Sequence, residues 1–262
     1  MNRKLVIFDV DGTLISRENV LPPGVATAIN SLQNNGHIAV FFTGRPFSHV
    51  LPVVRNIGFD GCICTMGAYV ELEGEIVQNL VPDSGVTRDL VRLIRSCDLD
   101  AAFESEDGIA FDETRPLSEF LAKLKKNFTE RGFITDQGID RENFSFSKLC
   151  VWFKETSDVS RFEREASKYL KVIGKKQNMM ELVCKQVSVE ESVRILMSHF
   201  GVSRENCYAI GDSINDLPML RLAKYNAAMG EAPDELKSQV GFTTSGVMEG
   251  GLVKFLQHFQ LI

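Results

Sequence analysis

The chain has 262 residues, 44% of them hydrophobic and 24% charged, the usage of a folded globular protein, which excludes a disordered, collagenous or coiled-coil chain. Twenty-nine Lys and Arg against 35 Asp and Glu leave a net charge of −6, so there is no broad basic face to follow a nucleic-acid backbone. No apolar run approaches the ~20 residues of a membrane-spanning helix, and Leu5 to Phe8 is too short for a signal-peptide core.

In chain order, Leu5–Phe8 reads as a buried strand, Pro23–Asn34 as a helix, Ile38–Phe42 as a second strand, Phe47–Asn56 as a helix and Gly61–Thr65 as a third strand. Such alternation predicts parallel βαβ units. Between about Val81 and Lys176 the texture changes. Helical patterns at Val86–Cys97, Leu117–Arg131 and Arg161–Leu170 are separated by half-alternating segments, which predicts a small α+β module. After Met180 the first texture returns, with helices at Ser192–Phe200, Leu217–Ala223, Pro233–Val240 and Gly250–Phe259 and strands at Cys207–Ile210 and Ala227–Met229. The expected organisation is one α/β core made of residues 1–80 and 178–262, interrupted by an α+β insertion of residues 81–177.

Six cysteines occur without C-x-x-C spacing and mostly inside apolar runs. They are expected to be reduced, buried thiols of a protein in the cytoplasm rather than zinc ligands.

Three apolar strand runs each end in a small polar cluster: Phe8-Asp9-Val10-Asp11-Gly12-Thr13, Phe42-Thr43-Gly44-Arg45 and Ile210-Gly211-Asp212-Ser213. Ligands of open parallel sheets bind outside the carboxyl ends of the strands, so these clusters are expected to meet. Asp9, Asp11 and Asp212 brought together require a cation, and oxygen ligands beside a phosphate suit Mg²⁺ better than Ca²⁺ or Zn²⁺. Gly12 and Gly44 allow close backbone approach, while Thr13 and Thr43 offer hydroxyls to an anion. Dinucleotide and P-loop signatures are absent, and Gly12 falls at the wrong place for a calcium-binding EF-hand loop.

In order and spacing, Asp9-Val10-Asp11-Gly12-Thr13-Leu14, Thr43-Gly44-Arg45 and Gly211-Asp212-Ser213-Ile214-Asn215-Asp216 resemble the first, second and fourth motifs of the haloacid dehalogenase superfamily, closest to its Cof-type sugar-phosphatase-like branch. The resemblance spans essentially the whole chain. It implies a Rossmann-like core with a mainly parallel sheet, an inserted α+β cap that closes over the site, and Mg²⁺-dependent hydrolysis of small phosphorylated metabolites such as sugar phosphates. By the same resemblance, Asp9 is the nucleophile that becomes an aspartyl phosphate, and Asp11 is the general acid and base. Asp9, Asp11 through its carbonyl, and Asp212 hold the metal. Gly12, Thr43 and Gly44 bind phosphate, Asn215 and Asp216 orient the site, and Arg45 is a candidate substrate contact.

The chain departs from the pattern at three places. The lysine of the third motif aligns with Val189, leaving Lys185, four residues earlier, as a candidate phosphate contact. Met66-Gly67 stands where relatives read Asn-Gly, and Gly230-Glu231-Ala232 where they read Gly-Asn-Ala. These departures keep two alternatives open: transfer of the phosphoryl group to a second hydroxyl, and a regulatory phosphometabolite-binding protein with weakened catalysis. The partner expected in every case is a small phosphorylated molecule, neither nucleic acid nor membrane; the sequence gives no oligomeric state.

Overall fold

The computed structural model describes residues 3–135 and 138–262. Contacts divide the chain into two units, a first running through Gly44, Val50–Val77 and Ser188–Ile262, and a second made of Arg45–His49 and Gln78–Val187.

The opening segment forms β1 (Leu5–Asp9), α1 (Val25–Asn34), β2 (Ile38–Phe42), the short α2 (Pro52–Arg55), β3 (Gly61–Cys64), β4 (Tyr69–Leu72) and β5 (Glu75–Asn79). The helix expected over Phe47–Asn56 is broken. Leu51 precedes a proline and is held extended, at φ −63° and ψ 145°, so only a 3₁₀ turn at Phe47–His49 and α2 form. The middle segment forms α3 (Ser84–Ser96), β6 (Asp100–Glu104), β7 (Ile109–Phe111), α4 (Glu119–Glu130), β8 (Lys148–Trp152), α5 (Val159–Ala166), β9 (Leu170–Lys176) and β10 (Met179–Cys184). The closing segment forms α6 (Val189–His199), β11 (Cys207–Gly211), α7 (Leu217–Leu222), β12 (Tyr225–Ala228), α8 (Asp234–Lys237), β13 (Phe242–Thr243) and α9 (Gly251–His258).

The larger sheet has eight strands in the order β13-β12-β11-β1-β2-β3-β4-β5, parallel from β13 to β3 and antiparallel between β3 and β4. All five residues of β1 and of β2 are buried, as continuous apolar runs of a parallel sheet covered on both faces should be. Alternation sorts the faces: Leu5 and Ile7 of β1 join Val40 and Phe42 of β2 in one cluster with Val193 and Leu196 of α6 and Leu220 of α7. Ser188 caps α6 by accepting from the Glu191 amide (3.2 Å), and Glu190 and Glu191 place acidic charge in its first turn.

The second unit holds a five-stranded sheet in the order β7-β6-β8-β10-β9, with each pair antiparallel. Here the structure corrects the expected boundary at residue 177. Met179 to Val183 pair with both β8 and β9, so β10 belongs to the inserted sheet and the unit continues to Val187. On one face of this sheet Lys148 Nζ lies 3.2 Å from Glu104 Oε2 and 3.5 Å from Glu181 Oε1, an ionic row across β8, β6 and β10 in which Lys148 and Glu104 are buried and Glu181 is partly exposed. His49 of the same unit is buried and stacks on Phe133 at 4.8 Å between ring centres. All six cysteines are buried free thiols, and among the described residues no helix is long and apolar enough to cross a membrane.

Candidate active site

Register alone brings the strand ends together. Asp9 pairs with Phe42, and Phe8 with Ile210, so Asp9 lies level with the last residue of β2 and with Gly211, and Thr43 and Asp212 are the next residues out of their strands. Asp9 and Asp212 are 7% and 6% exposed, and Thr43 is buried.

Asp9, Asp212 and Asp216 each offer a carboxylate oxygen within 4.8 Å of the other two. The sequence reading named Asp9, Asp11 and Asp212 as the carboxylate set. The group the structure forms has Asp216 in it, while Asp11, half-buried in the turn after β1, stands outside the three. Asp216 earns its place through the backbone, because its Oδ2 accepts from the amides of Asp212 (3.0 Å) and Ser213 (2.8 Å) and from the Ser213 hydroxyl (3.2 Å). This closes the turn Ile214–Asp216 ahead of α7 and fixes the peptide that carries Asp212. Asn215 is exposed on that turn.

Electrostatics strain the group. Burial, then the charges of Asp216 and Asp212, push the Asp9 carboxyl well above its ordinary range. Burial raises Asp216 to about 6, and it raises Asp212 as well, with Arg17 pulling the other way. Asp9 Oδ2 is buried without a hydrogen-bond partner among the described residues. An orphaned carboxylate oxygen among other carboxylates is an uncompensated desolvation cost unless a cation binds there.

The turns after β1, β2 and β3 lie at the same ends of these strands. Gly12, at φ +91°, lies against the Asp212 carboxylate, and the Met66 amide donates to the Thr43 carbonyl (3.3 Å). Thr65 and Met66 both occupy the left-handed region, at φ 53° and 55°. Two consecutive non-glycine residues there mark stored backbone strain at the site. A Cβ on Gly44 would meet the Met66 thioether at 3.5 Å, so Met66 covers Gly44.

Val189 is 6% exposed and packs in the apolar cluster between α6 and the sheet, with Met66 against the same cluster. The Glu231 carboxylate accepts from the Val247 amide, both oxygens at 3.0 Å, and so serves a neighbouring loop. Lys185 is an exposed residue of the second unit, its amide bonded to the Tyr169 carbonyl (3.1 Å). Arg45 also falls in the second unit, where its Nη1 donates to the His49 carbonyl (3.4 Å). The sequence reading passed over Arg17. Its Nη2 lies 3.4 Å from Asp212 Oδ2, 195 residues away in the chain, and no local motif signals that pairing.

Residues 6–256 match the family described as haloacid dehalogenase-like hydrolase. A Haemophilus influenzae protein named "Putative phosphatase" is 31% identical, the alignment covering 98% of each chain. Among solved structures, the phosphatase BT1666 from Bacteroides thetaiotaomicron superposes with a TM-score of 0.82 at 25% identity, covering 99% of this chain and 96% of its own. The subclass IIB sugar phosphatase BT4131 superposes with a TM-score of 0.77 at 22% identity, covering 99% and 100%.

Proposed function

The chain belongs to the haloacid dehalogenase-like hydrolase family and is one of its phosphatases; on that premise we propose that it hydrolyses small phosphorylated metabolites, sugar phosphates foremost, through an aspartyl phosphate on Asp9 and with Mg²⁺. The observation that carries this reading is the orphaned Asp9 Oδ2 within a buried carboxylate trio at the ends of β1 and β11.

The residues fit a small hard cation: the trio offers only oxygen atoms, and Asp9 lacks a partner for one of its own. Asp9 and Asp212 would hold the ion, with the Asp11 carbonyl as a further proposed ligand, while Asp216 keeps its Oδ2 on the backbone and fixes Asp212. Bound there, Mg²⁺ supplies two positive charges that keep the carboxylates ionised and offset charge on the phosphoryl group.

Asp9 then attacks phosphorus, the P–O bond to the leaving group breaks, and Asp11 gives that oxygen a proton. Water, losing a proton to Asp11, next cleaves the acyl phosphate and frees Asp9 and inorganic phosphate. The amides beyond β1 and β2, at Gly12 and Gly44, and the Thr43 hydroxyl are the proposed hold on the phosphoryl oxygens. The inserted α+β unit is the proposed cap, selecting the leaving group and excluding bulk water.

The test is hydrolysis of p-nitrophenyl phosphate and of a panel of sugar phosphates. Activity is expected with Mg²⁺, lost with EDTA and lost in Asp9→Asn. Turnover without a metal, or turnover retained by Asp9→Asn, overturns the mechanism.

A further inference from the structure

Arg17 occupies the tip of a firmly built loop. The Leu14 and Ile15 amides donate to the Val10 carbonyl (both 3.0 Å), and the Gly12 amide donates to the Ile15 carbonyl (2.8 Å). The Ser16 amide donates to the Val20 carbonyl (2.9 Å), and the Ser16 hydroxyl oxygen, itself buried, accepts from the amides of Glu18 (3.2 Å) and Val20 (3.4 Å). The backbone at residue 17 is therefore fixed beside β1, and its side chain alone is free to choose a partner.

That partner is Asp212, with Nη2 to Oδ2 at 3.4 Å, although the Arg17 side chain is 76% exposed. An ion pair with one partner so exposed adds little to folding, so stability does not account for it. Charge does. Asp9, Asp212 and Asp216 form one buried acidic group, and Asp11 and Glu231 add negative potential at Asp212. A phosphate monoester entering this group brings up to two further negative charges. One divalent cation cannot balance that sum, and the planar guanidinium fork matches the oxygens of a phosphoryl group as it matches a carboxylate.

Resting on the phosphatase reading above, we propose that Arg17 is a phosphate-binding residue of this site, exchanging its Asp212 partner for a phosphoryl oxygen when a divalent cation engages Asp212. The exchange needs only side-chain rotation from an anchored backbone, since the Arg17 side chain is 76% exposed. It also gives the site a positive charge from the β1 loop, whereas position 189 is committed to the apolar core.

Calorimetric titration of the wild type, Arg17→Ala and Arg17→Lys tests this with two probes: Mg²⁺ alone, then inorganic phosphate at saturating Mg²⁺. For Arg17→Ala the Mg²⁺ affinity is expected to stay within about threefold of wild type or tighten, because a competitor for Asp212 is gone. The phosphate dissociation constant is expected to rise tenfold or more, and Arg17→Lys to recover part of that loss. The KM for p-nitrophenyl phosphate should rise in parallel, with the melting temperature unchanged. Phosphate binding within twofold of wild type in Arg17→Ala overturns the assignment and leaves the phosphatase reading intact. A wild type that binds no phosphate in Mg²⁺ overturns both.

Discussion

Gly12 and Asp212 approach so closely that a methyl group at residue 12 would lie 2.1 Å from Asp212 Oδ2. Gly12 also holds φ +91°, a region that residues with a Cβ rarely enter. Close approach and backbone conformation thus both demand glycine, and the substitution Gly12→Ala is expected to displace Asp212. Phosphatase activity should fall at least 100-fold and stability by about 1–3 kcal/mol, read by steady-state kinetics and urea unfolding. A Gly12→Ala protein with wild-type kcat/KM would show that Asp212 is not held where the catalysis needs it.

The carboxylate trio predicts how metal removal acts on stability. Without a cation, burial and the charges of Asp216 and Asp212 disfavour the Asp9 carboxylate, so Mg²⁺ should raise the melting temperature at pH 7.5 and EDTA should reverse the gain. Asp9→Asn removes one of the clustered charges. It should melt about 2–4 °C higher than wild type in EDTA, roughly 1 kcal/mol, yet gain little from Mg²⁺. Equal Mg²⁺ shifts in both proteins would mean that the cation binds elsewhere.

Lys148 and Glu104 face each other across β8 and β6, each under 10% exposed. Removing one partner strands the other in the interior. Lys148→Ala is therefore expected to cost about 3–5 kcal/mol, and the paired replacement Lys148→Met with Glu104→Leu to recover most of it. Chemical unfolding of the single and double variants decides, and a Lys148→Ala loss under 1 kcal/mol would show that the row is solvated.

His49 gives a pH signature. Burial depresses its imidazole from 6.5 to about 4. As pH falls, the unfolded chain takes up this proton first. The contribution is complete above about pH 6.5, is lost between 6.5 and 4, and amounts to about 3 kcal/mol at the acid limit. The carboxylates raised at the active site titrate in the opposite sense, so the quantity to measure is the difference between wild type and His49→Phe. His49→Phe should gain relative stability from pH 6.5 down to 4, while a pH-independent difference would show that His49 titrates normally.

The site's backbone was legible because its signals are local. Each of β1, β2 and β11 is a short apolar run ending in Asp9, in Thr43-Gly44 or in Gly211-Asp212, and a parallel sheet gathers such ends on one side. Proline at 52 shows in the sequence too, though its effect on Leu51, splitting one helix pattern into a 3₁₀ turn and α2, was not read from it. The run at Met179–Cys184 lies in the inserted unit although it falls within residues 178–262, because an apolar strand does not declare which sheet it joins; hydrogen bonding to β8 and β9 does.

By itself, then, the sequence determined an α/β core with an insertion and the three strand-end clusters, since composition and periodicity are properties of neighbouring residues. Only the tertiary structure decided that Asp216 joins Asp9 and Asp212, that Val189 turns into the core, and that Arg17 meets Asp212. The last pair lies 195 residues apart. Its contact is set by the register of β1 against β11 and by the turn that follows each strand, and a register is fixed by the packing of whole faces rather than by any local run of residues.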